Sequence, residues 1–186
     1  MEFLLLGALA LVFGSAAFDV FGSDDDDTAN TGDGADGGDD GGDDTGGEEV
    51  STDLIEGTSG DDTLSGDGDD TVRGGDGDDQ MNLTDRARGF GGEGDDTLWT
   101  FDEARADGGG GNDYIPTYDT SIGQGGPSDD RLIGQDQSIV AGNSGNDFLT
   151  AIDDARAFGG EGDDTLRIGQ DAQGSGGADN DRVVVR

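Results

Sequence analysis

The sequence predicts an all-β solenoid, in which one short unit is stacked on copies of itself. The segment from Gly57 to Arg186 repeats every 17 residues, and a fixed short period is the signature of stacked structural units. The sixth position of every copy is Asp and the eighth is apolar. With 39 glycines and only 30% hydrophobic residues, the chain has too little apolar material for an ordinary globular core.

The repeat is complete in seven copies and partial in an eighth. The copies begin at Gly57, Gly74, Gly91, Gly108, Gly125, Gly142, Gly159 and Gly176. The sixth-position residues are Asp62, Asp79, Asp96, Asp113, Asp130, Asp147, Asp164 and Asp181. The eighth-position residues are Leu64, Met81, Leu98, Ile115, Leu132, Leu149, Leu166 and Val183. Because side chains alternate along a strand, the Asp and the apolar residue of each copy should face the same side.

Composition excludes several function classes. The 186 residues contain 45 Asp and Glu against 9 basic residues, which gives a net charge of −36. This charge opposes compaction and makes binding to nucleic acid or anionic lipid unfavourable. The absence of Cys and His removes thiolate sites, the usual zinc ligands and the ordinary catalytic triads. Carboxylates and backbone carbonyls remain, and these suit Ca²⁺ or Mg²⁺.

Two segments precede the array. Residues 1–22 form a hydrophobic segment that is either a signal peptide, with small residues at Ser15–Ala17, or a membrane anchor through residues 3–21. No basic residue precedes the run, which slightly favours the anchor. Residues 23–56 are rich in Asp and Gly and are predicted to be a disordered acidic linker.

The glycine-rich start of each copy predicts a cation site. Successive glycines permit positive φ and a tight turn, which brings backbone carbonyls inward. A cation that needs 6–8 oxygens could take those carbonyls together with the sixth-position carboxylates. Besides those aspartates, the candidate metal ligands are Asp70 and the turn glycines Gly60, Gly75, Gly77, Gly92, Gly94, Gly109, Gly111, Gly126, Gly145, Gly160 and Gly162.

The first nine positions of the repeat resemble the nonapeptide Gly-Gly-x-Gly-x-Asp-x-hydrophobic-x of the RTX (repeats-in-toxin, hemolysin-type) calcium-binding proteins. Residues 74–82, 91–99, 108–116 and 159–167 fit it throughout. The resemblance implies a right-handed parallel β-roll or β-helix of about seven to eight coils, with Ca²⁺ shared between adjacent turns. It also implies export, usually by type I secretion from a Gram-negative bacterium, and hence an extracellular or cell-surface location.

The two halves of each coil differ. The first coil keeps a second acidic turn at Gly66–Arg73, but the Asp70 position becomes Ala or Ser in later coils and the Gly68 position becomes Asp in most of them. We therefore expect one calcium row, of about seven ions in the gaps between eight turns, and a metal-free second edge except near Asp70. Since the apolar core is thin, folding should require Ca²⁺, with an affinity in the 10⁻⁴–10⁻³ M range of extracellular modules.

No catalytic constellation is present, so the chain is not expected to be an enzyme: neither His-Glu-x-x-His nor Gly-x-Ser-x-Gly occurs. The acidic runs repeat too closely for an EF-hand. Two alternatives stay open: an adhesin-like solenoid that binds a protein partner or glycan through Trp99, Phe101, Tyr114 and Tyr118, and a targeting module left from a larger secreted system. End-to-end self-association through unpaired strand edges is a further expectation.

Overall fold

A computed structural model describes residues 52–186 and shows an all-β solenoid of about eight turns, with about 17 residues in each. Sixteen strands follow one another: β1 (Leu54–Glu56), β2 (Thr63–Gly66), β3 (Thr71–Asp76), β4 (Gln80–Leu83), β5 (Arg88–Glu93), β6 (Thr97–Thr100), β7 (Arg105–Gly110), β8 (Tyr114–Thr117), β9 (Ile122–Pro127), β10 (Arg131–Gly134), β11 (Ile139–Ser144), β12 (Phe148–Ala151), β13 (Arg156–Glu161), β14 (Thr165–Ile168), β15 (Gln173–Gly177) and β16 (Arg182–Val185). The predicted fold class is confirmed. Residues 52–186 contain no helix that could cross a membrane, and the predictions for the hydrophobic segment and most of the linker lie outside the described residues.

The strands form two parallel sheets. Odd-numbered strands make one eight-stranded sheet in chain order, and even-numbered strands make the other. Every pairing joins residues 17 apart, as in Leu64 with Met81 and Val72 with Gly89. Each coil therefore contributes one strand to each sheet, and every position of the repeat forms a column along the solenoid.

The solenoid begins earlier than the repeat predicted. Leu54–Glu56, which the sequence places in the disordered linker, form β1 and pair in parallel with Thr71–Arg73 of β3. This strand precedes the first glycine motif, which starts at Gly57, so the motif could not predict it. Within residues 52–186, the first strand of the roll is thus Leu54–Glu56.

The core lies between the two sheets and is filled in a different way in each half of the coil. The eighth-position column supplies one large, fully buried side chain per coil in the middle of the array: Met81, Leu98, Ile115, Leu132, Leu149 and Leu166. At the tenth and sixteenth positions, a large residue usually faces a small one. A Cβ on Gly89 would lie 3.0 Å from Cδ2 of Leu83, and a Cβ on Gly66 would lie 2.5 Å from Cγ2 of Val72.

The order of large and small differs between coils. Leu83 faces Gly89 in one coil, whereas Gly134 faces Val140 in a later one. The small residues of the second half, such as Gly89, therefore accommodate a larger partner across the coil. Packing at native density requires this exchange of volume.

Aspartates close the second edge of the coil. The column that begins at Gly68 has positive φ there, and the five aspartates that replace this glycine keep it, although Gln170 does not: Asp85 (58°), Asp102 (51°), Asp119 (55°), Asp136 (58°) and Asp153 (54°). The turns close with backbone hydrogen bonds such as Ala87 N to the carbonyl of Thr84 at 3.1 Å. Asp tolerates the left-handed region better than most residues, so these aspartates have the structural role of turn glycines.

Candidate metal centre

The sixth-position aspartates form a buried column along the other edge of the roll, which we call the glycine edge. Six of them are almost completely buried: Asp79, Asp96, Asp113, Asp130, Asp147 and Asp164. Asp62 and Asp181, at the two ends, are partly exposed. In each inner copy the apolar residue two positions later is buried as well, so both side chains face inward, as strand alternation predicts. Burial of several carboxylates without basic partners requires a compensating interaction.

One oxygen of each buried carboxylate is accounted for by a backbone donor. The N–H of Asp79 donates to Oδ1 of Asp96, and the N–H of Asp96 donates to Oδ1 of Asp113, both at 2.8 Å. The same bond recurs at every boundary between coils, from Asp62 N to Asp79 Oδ1 through Asp164 N to Asp181 Oδ1. This column ties each coil to the next.

The second oxygen, Oδ2, has no hydrogen-bond partner within the protein. This holds for the same six buried aspartates, Asp79, Asp96, Asp113, Asp130, Asp147 and Asp164. A buried carboxylate oxygen without a partner is costly in free energy. The glycine edge therefore presents a row of desolvated negative oxygens, one in each of the six inner copies.

The first glycine of each copy leaves the space into which Oδ2 points. A Cβ added to Gly108 would collide with Oδ2 of Asp113 and would lie 2.7 Å from the carbonyl oxygen of Gly125 in the next coil. Gly74, Gly91, Gly142 and Gly159 have the same two neighbours. The missing side chain thus makes a cradle in which a carboxylate oxygen of one coil and a carbonyl oxygen of the next lie close together.

The predicted turn glycines mostly adopt the conformation that the motif requires. Positive φ occurs at Gly75, Gly77, Gly92, Gly94, Gly109, Gly111, Gly126, Gly145, Gly160 and Gly162. The non-glycine replacements Ser128 (φ 90°) and Asn143 (φ 79°) keep it as well, whereas Thr58 does not. The carbonyl oxygens of these positions face the matching glycine of the next coil, as Gly77 O faces Gly94. Gly60, in the first copy, is the exception among the candidate glycines, because its φ is not positive.

Burial raises the pKa of the aspartate column. Desolvation is the largest cause throughout, opposed by the backbone hydrogen bond and reinforced by neighbouring carboxylates. The pKa rises to about 7 for Asp113 and Asp147 and to about 6 for Asp96 and Asp130. It is also raised for Asp79 and Asp164. The folded protein therefore favours either a proton or a cation at these sites.

The donors fit a hard cation that takes part of its coordination from backbone. Within residues 52–186, no three acidic side chains come together as a ready-made metal cluster. Five gaps on the glycine edge nevertheless offer an unpartnered carboxylate oxygen next to a carbonyl oxygen, and turn carbonyls lie along the same edge. All of these are oxygen ligands, the type that Ca²⁺ prefers.

Asp70, the remaining predicted ligand, differs from the column. It is buried, but Oδ1 accepts the N–H of Asp53 at 3.0 Å and Oδ2 accepts the N–H of Asp67 at 3.2 Å. Both oxygens are thus satisfied by backbone donors. In the next coils the same column is occupied by Ala87 and Ala104, which are buried and apolar. The geometry gives no reason to place a cation at this edge.

The fifth-position residues form a second ladder that the sequence did not predict. Each of these exposed side chains accepts the N–H of the fifth residue in the next coil, as Asp95 Oδ1 accepts from Asn112 at 2.7 Å. The ladder runs through Asp61, Asp78, Asp95, Asn112, Asp129, Asn146, Asp163 and Asn180. From Asp95 onward Asp and Asn alternate, and each Asn amide also lies within 3.4 Å of the preceding carboxylate. Only the Asp-or-Asn preference at this position could have indicated it.

The predicted aromatic cluster lies on the even-numbered sheet and in the turns that follow it. The rings of Phe101 and Tyr118 stack with centroids 4.9 Å apart, whereas Tyr114 lies under the guanidinium of Arg131 at 5.4 Å. Arg167 lies over Phe148 at 4.7 Å. No residue at the outward seventh and ninth positions of the repeat is acidic. The broad face of this sheet therefore differs in chemistry from the acidic edges.

Comparison with known proteins leaves the column to be interpreted from its own geometry. No family model, curated protein or solved structure matches the chain.

Proposed function

We propose that this chain binds Ca²⁺ along the glycine edge, and that binding drives its folding. The observation that supports this is the row of six Oδ2 atoms that are buried without a hydrogen-bond partner, five of them beside a carbonyl oxygen of the next coil. A divalent cation in each gap would compensate the buried charge that the protein leaves unpaired. The RTX-like spacing of the motif supports the same assignment.

Calcium suits these donors better than other common divalent metals. Zinc sites in proteins usually contain Cys or His, and the chain has neither. Magnesium demands near-ideal octahedral geometry and usually retains several waters. Calcium accepts 6–8 oxygens in irregular geometry, which matches a site made from carboxylates and stacked turn carbonyls.

Because of the chain's negative charge, Ca²⁺ binding should be coupled to folding. A net charge of −36 opposes compaction, and the core has only one or two large side chains per coil. Divalent ions in the row would offset part of the repulsion only in the folded state. Binding free energy and folding free energy are then the same quantity.

Titration with Ca²⁺ tests the proposal. Circular dichroism should show little β-structure in chelator and a cooperative gain in Ca²⁺, with a midpoint of about 10⁻⁴–10⁻³ M. Asp113→Asn should weaken the response, whereas Asp119→Asn, in an exposed turn at the second edge, should leave it unchanged. Identical spectra in chelator and in 10 mM Ca²⁺, with no heat of binding, would rule the function out.

We further propose that the roll works outside the cell, where Ca²⁺ reaches the concentrations that such a site needs. Residues 1–22 would then serve as the signal or the anchor for export. Fractionation of the full chain and of a form without residues 1–22 tests this. Retention of both forms in the cytoplasm-containing fraction would contradict it.

The even-numbered sheet supports a second candidate function, binding to a carbohydrate. Aromatic rings with arginines stacked over them, on a face without carboxylates, suit stacking on sugar rings and hydrogen bonding to their oxygens. Trp99→Ala with Tyr114→Ala should abolish binding on a glycan array, while Asn82→Ala on the same face should not. Equal signals from all three proteins would remove this candidate.

A further inference from the structure

The first turn of the glycine edge differs from the turns that follow. Oδ2 of Asp62 accepts two hydrogen bonds from Thr58, one from its N–H at 2.5 Å and one from Oγ1 at 2.9 Å. In the next six copies, the equivalent oxygen has no partner within the protein. The first carboxylate is therefore satisfied by a side chain and a backbone donor of its own turn.

The backbone of this turn is different as well. Thr58 occupies the second position of the motif, where the other copies have positive φ, such as 119° at Gly75 and 121° at Gly92. Thr58 itself does not have positive φ, and neither does Gly60 at the fourth position. A β-branched residue strongly disfavours the left-handed region. The threonine thus both changes the turn and supplies the donors that the changed turn directs at Asp62.

Other side chains hold the first coil without buried unpaired charge. At its second edge, Asp70 accepts two backbone N–H groups. Arg86 of the next coil makes a two-pronged ion pair with Asp69, at 2.7 and 2.9 Å. Arg73 lies 3.6 Å from Glu56 of the preceding strand. Every one of these contacts is made by protein groups alone.

We infer that the first coil is a metal-independent cap and that Thr58 closes the ion row, so that the row begins at Asp79 and ends at Asp164. This inference rests on the proposed calcium function and deepens it by fixing where the row starts. It predicts six ions, one for each unpartnered Oδ2, instead of the seven that the gaps between eight turns would allow. The cap gives the adjacent coil a preformed edge on which calcium-dependent coils can add.

Thr58→Gly is the direct test. Glycine restores the motif, permits positive φ and removes the Oγ1 donor, so Asp62 becomes equivalent to the other column members. The wild type should bind six Ca²⁺ ions per chain in equilibrium dialysis, and Thr58→Gly should bind seven. Asp62→Asn should still bind six in the wild-type background and should reduce the Thr58→Gly protein from seven to six. Asp79→Asn, the matched substitution one coil later, should lower the wild type from six to five.

The possible results separate the two proposals. If the wild type binds calcium but Asp62→Asn loses one ion, Asp62 is a ligand and the cap inference is wrong. An unchanged count in Thr58→Gly, with the protein still folded by circular dichroism, would also overturn it. If none of the proteins binds calcium, the proposed function and the cap fail together. Should Thr58→Gly fail to fold, the comparison of Asp62→Asn with Asp79→Asn still decides the question.

Discussion

Asp113 and Asp130 are joined by a hydrogen bond from the backbone N–H of Asp113 to Oδ1 of Asp130, at 2.8 Å. The carboxylate of Asp130 thereby aligns one coil with the next, while its Oδ2 stays buried without a partner. The same side chain thus has a structural oxygen and an unsatisfied one. Any change at this column affects both the register of the coils and the proposed cation site.

Protonation should substitute partly for calcium. The column carboxyls have raised pKa values in the folded state, about 7 for Asp113 and Asp147, against 3.8 for an unperturbed Asp. Below about pH 4 the column carboxyls are protonated in both the folded and the unfolded state, and stability is greatest. As pH rises from about 4 to 7, these carboxyls ionise first in the unfolded state, so the free energy of unfolding falls. Circular dichroism of calcium-free protein should therefore show more β-structure at pH 4.5 than at pH 7.5.

The gain in stability at low pH also includes a smaller repulsion among the chain's many other carboxylates, so a control is needed. Asp113→Asn with Asp147→Asn should flatten the dependence between pH 5 and 7 relative to wild type. In calcium the sign reverses, because the cation requires ionised carboxylates and its affinity should increase with pH over this range. An equal slope in wild type and double variant would show that the column does not titrate as described.

The first glycine of a copy should not tolerate any side chain. In Gly108→Ala the new Cβ would collide with Asp113 Oδ2 and lie 2.7 Å from Gly125 O. Gly110→Ala, two residues later, would place its Cβ 3.1 Å from the far end of the flexible Glu93 side chain. We expect the first to cost about 1–3 kcal/mol or more and the second to cost little. Urea denaturation in saturating Ca²⁺ measures both, and similar losses would argue against the cradle.

The large–small pairs of the core should behave as coupled units. Gly89→Val places a larger side chain against Leu83 and should destabilise the protein by about 1–3 kcal/mol. Adding Leu83→Gly reproduces the order seen at Gly134 and Val140, and should recover much of that loss. A double-mutant cycle that gave additive effects would contradict the proposed exchange of volume.

The alternation of Asp and Asn in the outer ladder should reduce repulsion. Asn112→Asp would create three consecutive carboxylates with Asp95 and Asp129, and would remove an amide donor. We expect a loss of about 0.2–1 kcal/mol at low ionic strength that declines in salt. Asn82→Asp adds the same charge on the even-numbered sheet and is the control. A loss that was equal for both variants would reflect net charge instead of the ladder.

The fold and the inward-facing column of sixth-position aspartates could be predicted because both follow directly from the repeat. A period of 17 fixes the register, and an Asp and an apolar residue two positions apart must share a face. The packing of a large residue against a small one across the coil, as in Leu83 and Gly89, was not predictable. The size of the residue varies without an evident rule in both columns. The role of Asp85 was not predictable, because it depends on the positive φ of its backbone and not on its carboxylate. The role of Thr58 was not predictable either, because its hydrogen bonds to Asp62 depend on the geometry of the turn.

The two ladders at the glycine edge point in opposite directions. Asp78 accepts a bond from the coil after it, and its neighbour Asp79 accepts one from the coil before it. Both kinds of bond cross every one of the boundaries between successive coils, alongside the bonds between strands. Under a stretching force along the axis, each boundary is a separate element in series, and both ladders reinforce it at the glycine edge. Rupture should therefore begin at the opposite edge and release the coils singly, with each event lengthening the molecule by one repeat.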